Sequence, residues 1–225
     1  MKRASKYFVE SEKQRIEQAV AEAEAKTSAE IVPVLASSSG RYDRAEDIAG
    51  VWLGIIAMCV AWAVLQTQSA EAAQWGSTWA RFELPILILA VIAGYVLGTT
   101  IATYSWTLRR LFTPKKHMTS EVEERAGHVF FDRRVHHTEG GTGLLIYISL
   151  FEHGARILAD QAAHEKLGQA ALDDLCNELI DGIKKGDLAT ALCEVIKDAG
   201  DRLEKVLPRT DGGHNEIENT LVILD

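Results

Sequence analysis

Residues 136–143 read HHTEGGTG and run directly into the apolar segment LLIYISL. Two adjacent histidines, a carboxylate and three glycines are the makings of a metal site, a phosphate cradle or a tight turn. The phosphate reading fails on spacing. GGTG has neither the GKS or GKT ending of a P-loop nor the GxGxxG pattern of a dinucleotide fold, and it feeds a strand where a phosphate cradle needs a helix N-terminus. Gly140, Gly141 and Gly143 therefore read as a turn from a helix into a strand. His136 and His137 are neighbours, so on a helix their rings diverge and do not face one ion. A helix C-terminus favours imidazolium electrostatically, which gives them a structural role there.

Carboxylates offer a better grouping. Glu30 begins the first expected strand, Thr142 precedes the second, Asp160 ends an antiparallel third, and Glu139 stands in the loop above them. Clustered carboxylate and hydroxyl oxygens suit a hard cation such as Ca²⁺ or Mg²⁺. Water on such an ion can attack a phosphate ester. Glu30, Glu139 and Asp160 are accordingly the candidate metal ligands. The alternative is that Asp160 caps the next helix and Glu30 is solvated. At the opposite sheet edge, Ser37–Ser39, Glu152 and His153 pair serine with histidine, but without a GxSxG elbow their expected roles are capping and turns.

Helical and strand periodicities supply the elements that must position these groups. SEKQ (11–14) fits a capping box, with Ile16, Ala19, Val20 and Ala23 following at helical spacing. AEIVPVLA (29–36) reads as a strand buried on both faces, with Pro33 calling for an edge or a bulge, and 37–47 as a polar link. After residue 108 the pattern gives a helix capped at Thr119 or Ser120 and running to His136, a strand over Gly143–Leu150, and a return strand at 156–160. Two amphipathic helices follow. One carries Leu167, Leu175, Leu179 and Ile183 to Gly186, and the other runs from the cap Asp187 to Pro208. LVILD adds a last short strand. The expected fold class is α/β, a small α/β/α sandwich with a mixed sheet.

Within that domain lie two uncharged stretches, 48–70 and 84–108. Each exceeds the roughly 20 residues that cross about 30 Å of hydrocarbon, and Trp75, Trp79 and Trp106 stand near their ends, where indole rings favour the interface. The expected organisation is thus an N-terminal part (1–47), a transmembrane hairpin (48–108) and the remainder of the α/β domain (109–225). Arg41, Arg44, Arg109, Arg110, Lys115 and Lys116 flank the spans, whereas the connector 67–83 carries one arginine and two glutamates. Basic flanks stay cytoplasmic, so both termini and the α/β domain are expected there. Gly50 and Gly54 in the first span, and Gly94 and Gly98 in the second, put paired glycines on one helix face for close packing of the hairpin or of a dimer.

A net charge of −8 with no basic stripe argues against a nucleic-acid partner. Cys59, Cys176 and Cys193 have no CxxC spacing, which points away from zinc and from a disulfide framework. The N-terminus has no apolar core of a cleavable signal.

RIEQAVAEAEAKTSAEIVPVLASSSGRYDRAED, HHTEGGTGLLIYISLFEHGARILAD and DGGHNEIENTLVIL resemble, in order, the successive blocks of a TPM domain, over residues 8–49 and 118–225. Members of this TPM phosphatase group occur in bacterial membranes, thylakoids and animal synapses. The resemblance implies an α/β/α sandwich, often membrane-tethered, with acid phosphatase activity or divalent-cation binding in some members. Members commonly carry an exported domain with one flanking anchor; here the anchor is a hairpin inside the domain. Two functions are expected. One is an interaction, assembly or quality-control module in the bacterial inner membrane, with the lipid bilayer and a membrane protein or a second copy as partners. The other is a phosphatase dependent on Ca²⁺ or Mg²⁺.

Overall fold

A computed structural model describes residues 3–71, 80–138, 140–209 and 216–225; Trp75, Trp79 and Glu139 lie outside the described residues. The chain separates into two units, Met1–Gly40 with Lys116–Asp225, and Arg41–Lys115. Among the described residues it has eight α-helices and four strands in a mixed-sheet α/β arrangement.

The sheet belongs to the first unit. Strands β1 (Ile31–Ala36), β2 (Leu144–Ser149), β3 (Gly154–Ala159) and β4 (Val222–Leu224) lie in the order β3-β2-β1-β4. β1 is parallel to both β2 and β4, and β2 and β3 form an antiparallel hairpin. Every residue of β1 and β2 is buried, as their continuous apolar sequences require of strands covered on both faces. Ile31, Leu35, Leu144, Ile146 and Ile148 pack with helices α1 (Glu10–Glu24), α7 (Gln169–Lys184) and α8 (Leu188–Val206). Val32, Val34, Leu145 and Tyr147 pack with α5 (Lys115–Asp132) on the other face.

Pro33 stands in a central strand, contrary to the simplest expectation, and the ladder explains why it is tolerated. In a parallel pairing, successive residues turn their backbone groups to opposite neighbours. Glu30 O accepts from Leu144 N at 2.7 Å and Ala36 O from Leu150 N at 3.0 Å, so the even residues of β1 face β2. Pro33 therefore faces the β4 side, and β4 begins pairing only at Val34. The missing donor falls where β1 is locally an edge.

Several boundaries differ from the sequence reading. Helix α1 starts at Glu10, not after Ser11, because Glu12 reaches back to accept from Val9 N at 2.9 Å. The helix expected from Thr119 or Ser120 begins directly after Pro114, a residue at home at the start of a helix. It ends at Asp132 rather than His136. There Arg134 adopts φ +55°, Val135 N donates to Phe130 O and Arg134 N to Phe131 O, the bond pair of a Schellman motif. Glycine usually occupies that left-handed position, so an arginine there gives the sequence no stop signal. The first amphipathic helix is split at Gly168 (φ +77°) into α6 (Gln161–Leu167) and α7.

The second unit is built on α2 (Asp43–Glu71) and α3 (Ala80–Tyr104), followed by the short α4 (Trp106–Phe112). Helix α2 begins inside the expected polar link. The second apolar helix stops at Tyr104, short of Leu108, because Ser105 is extended (φ −109°, ψ 98°) and its Oγ accepts from Leu108 N to cap α4. Arg44–Thr67 and Glu83–Tyr104 are long and apolar enough to cross a membrane, with mean hydropathies of 2.4 and 2.2. Only 17% and 11% of their most apolar windows are buried by protein. A helix in the core of a soluble domain would be mostly covered.

Candidate functional site

The sheet register fixes what happens at the end of the strands from which the HHTEGGTG loop enters β2. Leu144 pairs with Ile31 on one side and Ala159 on the other. One residue further out, Asp160 N donates to Gly143 O at 2.8 Å while Leu144 N donates to Glu30 O. Glu30, Gly143 and Asp160 thus follow one another across three strands at the same level. Thr142 lies beside them, with its Oγ1 donating to Ser28 O at 2.9 Å. The juxtaposition expected of the backbone is present.

Side chains on this row are engaged separately. Glu30 is buried, and its carboxylate accepts from Glu216 N at 3.2 Å and Ile217 N at 3.4 Å, tying the segment before β4 to the start of β1. Asp160 accepts from Gln161 N at 2.7 Å and caps α6. Its Oδ2 lies 3.6 Å from where a Cβ on Gly141 would stand. Among the described residues no three His, Cys, Asp or Glu side chains converge as a metal group. The third expected ligand, Glu139, lies outside the described residues.

Glu30 has instead a carboxylate neighbour that the sequence reading missed. Glu24, at the end of α1, is buried, and its Oε1 accepts from Ile31 N at 2.8 Å. Burial pushes its carboxyl up from 4.5 to about 8; the Ile31 N–H opposes this, the Glu30 charge adds to it, and Asn219 and Arg209 oppose it more weakly. Burial also raises Glu30, against the two backbone donors it accepts from. A signal was available: Glu24 falls four and eight residues after Val20 and Ile16, on the buried stripe of α1.

This pair makes stability depend on pH in a defined direction. The folded state keeps the Glu24 proton up to about pH 8, whereas the unfolded chain releases it near 4.5. Folded protein therefore binds more protons across that window and loses stability as pH rises through it. Glu24→Gln keeps an acceptor for Ile31 N–H and removes the charge. The variant should melt close to wild type at about pH 5 and be more stable by on the order of 2 kcal/mol at about pH 9. A gap between the melting curves that does not change with pH would contradict this assignment.

His136 and His137 are exposed on the turn after α5, with the His136 ring 4.8 Å from that of Phe131. The glycines make the turn: Gly141 has φ +61°, and a Cβ on Gly143 would stand 2.0 Å from Val135 O.

At the other end of β1 and β2, the serine hydroxyls tie chain segments together. Ser37 Oγ accepts from Ala4 N at 2.8 Å and donates to Asp225 at 2.9 Å, joining the two ends of the described chain. Buried Glu152 accepts from Ser39 N at 2.8 Å and from Ser149 Oγ, and Ser39 Oγ pairs with the Tyr147 hydroxyl at 3.0 Å. These hydroxyls are committed to closing the turns after both strands.

In the second unit, all four glycines of the paired motifs face the partner helix. A Cβ on Gly98 would stand 2.8 Å from Gly50 Cα and 2.9 Å from Ala49 O. One on Gly94 would stand 2.8 Å from Leu53 O and 2.9 Å from Gly54 Cα. Gly50 meets the side chains of Thr99 and Tyr95, and Gly54 meets Val91 O. Beyond the glycines, Tyr95 Oη donates to Asp47 at 2.9 Å and Thr103 Oγ1 to Glu46 at 2.7 Å.

No protein-family model matches the chain, and no curated protein matches it. Among solved structures, the chain is similar to the NMR structure of the BA42 protein from the psychrophilic bacterium Bizionia argentinensis, with a TM-score of 0.59 and 17% identity over 99% of each chain. At that identity the likeness shows a shared fold and nothing of function.

Proposed function

We propose that this is a TPM-like integral protein of the bacterial inner membrane whose cytoplasmic α/β unit serves as an interaction, assembly or quality-control module for a membrane partner or a second copy. The observation that carries this reading is a pair of long apolar helices that the described residues leave largely uncovered. Basic residues follow the second helix, and the connector has one arginine, which supports a cytoplasmic α/β unit. Carboxylates at both ends of the sheet, Glu30, Asp160 and Glu152, accept from backbone N–H groups, in keeping with a scaffold.

The sheet register favours a second reading, a Ca²⁺- or Mg²⁺-dependent phosphatase, because it aligns Glu30, Thr142 and Asp160 at one strand end. A phosphomonoesterase assay on the purified full chain, with and without each ion, separates the two. Asp160→Asn is a clean probe, since asparagine still caps a helix. The module reading predicts no turnover that depends on metal. Metal-dependent hydrolysis lost in both Asp160→Asn and Glu139→Gln would replace it with the phosphatase.

A further inference from the structure

The break at Ser105 leaves α4 outside the second apolar helix with an unusual combination of residues. Ser105 to Lys115 contains Arg109, Arg110 and Lys115 and no acidic residue, in a chain of net charge −8. Tyr104 and Leu111, just before and within α4, are the two most exposed of the exposed large hydrophobic residues, at 83% and 74%. Helix α4 packs against α2 and α3. Arg109 holds it there through an ion pair with Glu46 of α2 and a 3.0 Å bond from its Nη2 to Thr103 O. A short helix with an exposed leucine, an exposed tyrosine just before it, basic residues and a fixed seat at the end of an apolar hairpin has the composition of an interfacial segment.

We propose that α4 and its flanks form a binding surface for anionic phospholipid headgroups. The inference rests on the membrane reading of α2 and α3 and adds the lipid class that the hairpin selects. Continuity and charge both argue for that occupant. The exposed apolar side chains continue directly from a helix that lipid would surround, and long basic side chains reach from apolar surroundings to headgroup phosphates. Each basic residue at an anionic leaflet contributes roughly a fivefold preference.

The test uses the full chain in nanodiscs of phosphatidylcholine mixed with a minority of phosphatidylglycerol. Native mass spectrometry of the extracted protein reads which lipid stays bound. Wild type should retain phosphatidylglycerol well above its share. Arg110→Gln with Lys115→Gln should lower that enrichment by roughly tenfold or more. Arg110→Lys with Lys115→Arg should restore it, which a purely structural role for either side chain would not produce. Insertion into the nanodiscs without enrichment would overturn the lipid surface and leave the membrane reading standing. Failure of the chain to remain in bilayers through alkaline extraction would overturn both. Enrichment unchanged in the double glutamine variant would also overturn the proposal, because the charge would then not be the selecting element.

Discussion

Gly98→Leu is expected to part the two apolar helices. The space beside Gly98 is filled by backbone, Gly50 Cα at 2.8 Å and Ala49 O at 2.9 Å from an added Cβ, so a leucine cannot be accommodated by a rotamer change. Gly94→Leu meets the same obstacle in Leu53 O and Gly54 Cα. Gly50→Leu meets the side chains of Thr99 and Tyr95, which can move, and Gly54→Leu meets its nearest atom only at 3.1 Å. The order of damage should therefore be Gly98 and Gly94 first, then Gly50, then Gly54. Overpacking of this kind costs about 1–3 kcal/mol, and small residues at such interfaces are what let the backbones approach closely. Cysteine pairs placed across α2 and α3 should crosslink less in detergent in the first two variants, while insertion is retained. Equal crosslinking in all four would mean that the close approach does not hold the hairpin.

Gly143→Ala should be the most damaging single methyl in the α/β unit. The added carbon would lie 2.0 Å from Val135 O. Neither side can yield readily. Val135 is fully buried and held by the turn that ends α5, and Gly143 O is bonded to Asp160 N. A loss of roughly 2–4 kcal/mol in thermal unfolding is expected. Gly127→Ala is the control, because Gly127 sits within α5 with nothing within 4 Å of an added Cβ. It should be neutral or stabilising by about 0.5–1 kcal/mol. Equal melting temperatures for the two variants would show that the contact between turn and strand is looser than described. The loop that looked most like a site is thus, at Gly143, a steric requirement of the fold.

What could be read in advance follows a physical division. β1 and β2 are apolar on both faces and bounded by turn residues, and α8 is announced by its Asp187 cap, which accepts from Thr190 N. Such signals are local, and they place these elements well. The long apolar helices were visible for the same reason, but not where the second one stops, since Ser105 breaks it by competing for a backbone donor. The end of α5 was hidden because Arg134 takes a glycine's conformation. Pro33 was ambiguous because its tolerance depends on where β4 begins, which is set by a segment nearly 190 residues away in sequence. The candidate site divides likewise. Placement of Glu30, Thr142 and Asp160 along one strand end needed only strand phases. The partnering of Glu30 with Glu24 depends on how α1 returns to the sheet, and the bonds from Glu216 and Ile217 depend on the path into β4.

The central claim, a membrane hairpin carrying a cytoplasmic α/β unit, is tested most directly by topology. Alkaline phosphatase fused within the connector, near Ala73, folds only if that segment is exported, and a second fusion after Asp225 reports the C-terminus. The basic flanks at Arg109, Arg110, Lys115 and Lys116, against a connector with a single arginine, predict an active connector fusion and an inactive terminal one. The reverse pattern, or two inactive fusions in which both α2 and α3 are recovered in the soluble fraction, would contradict the account.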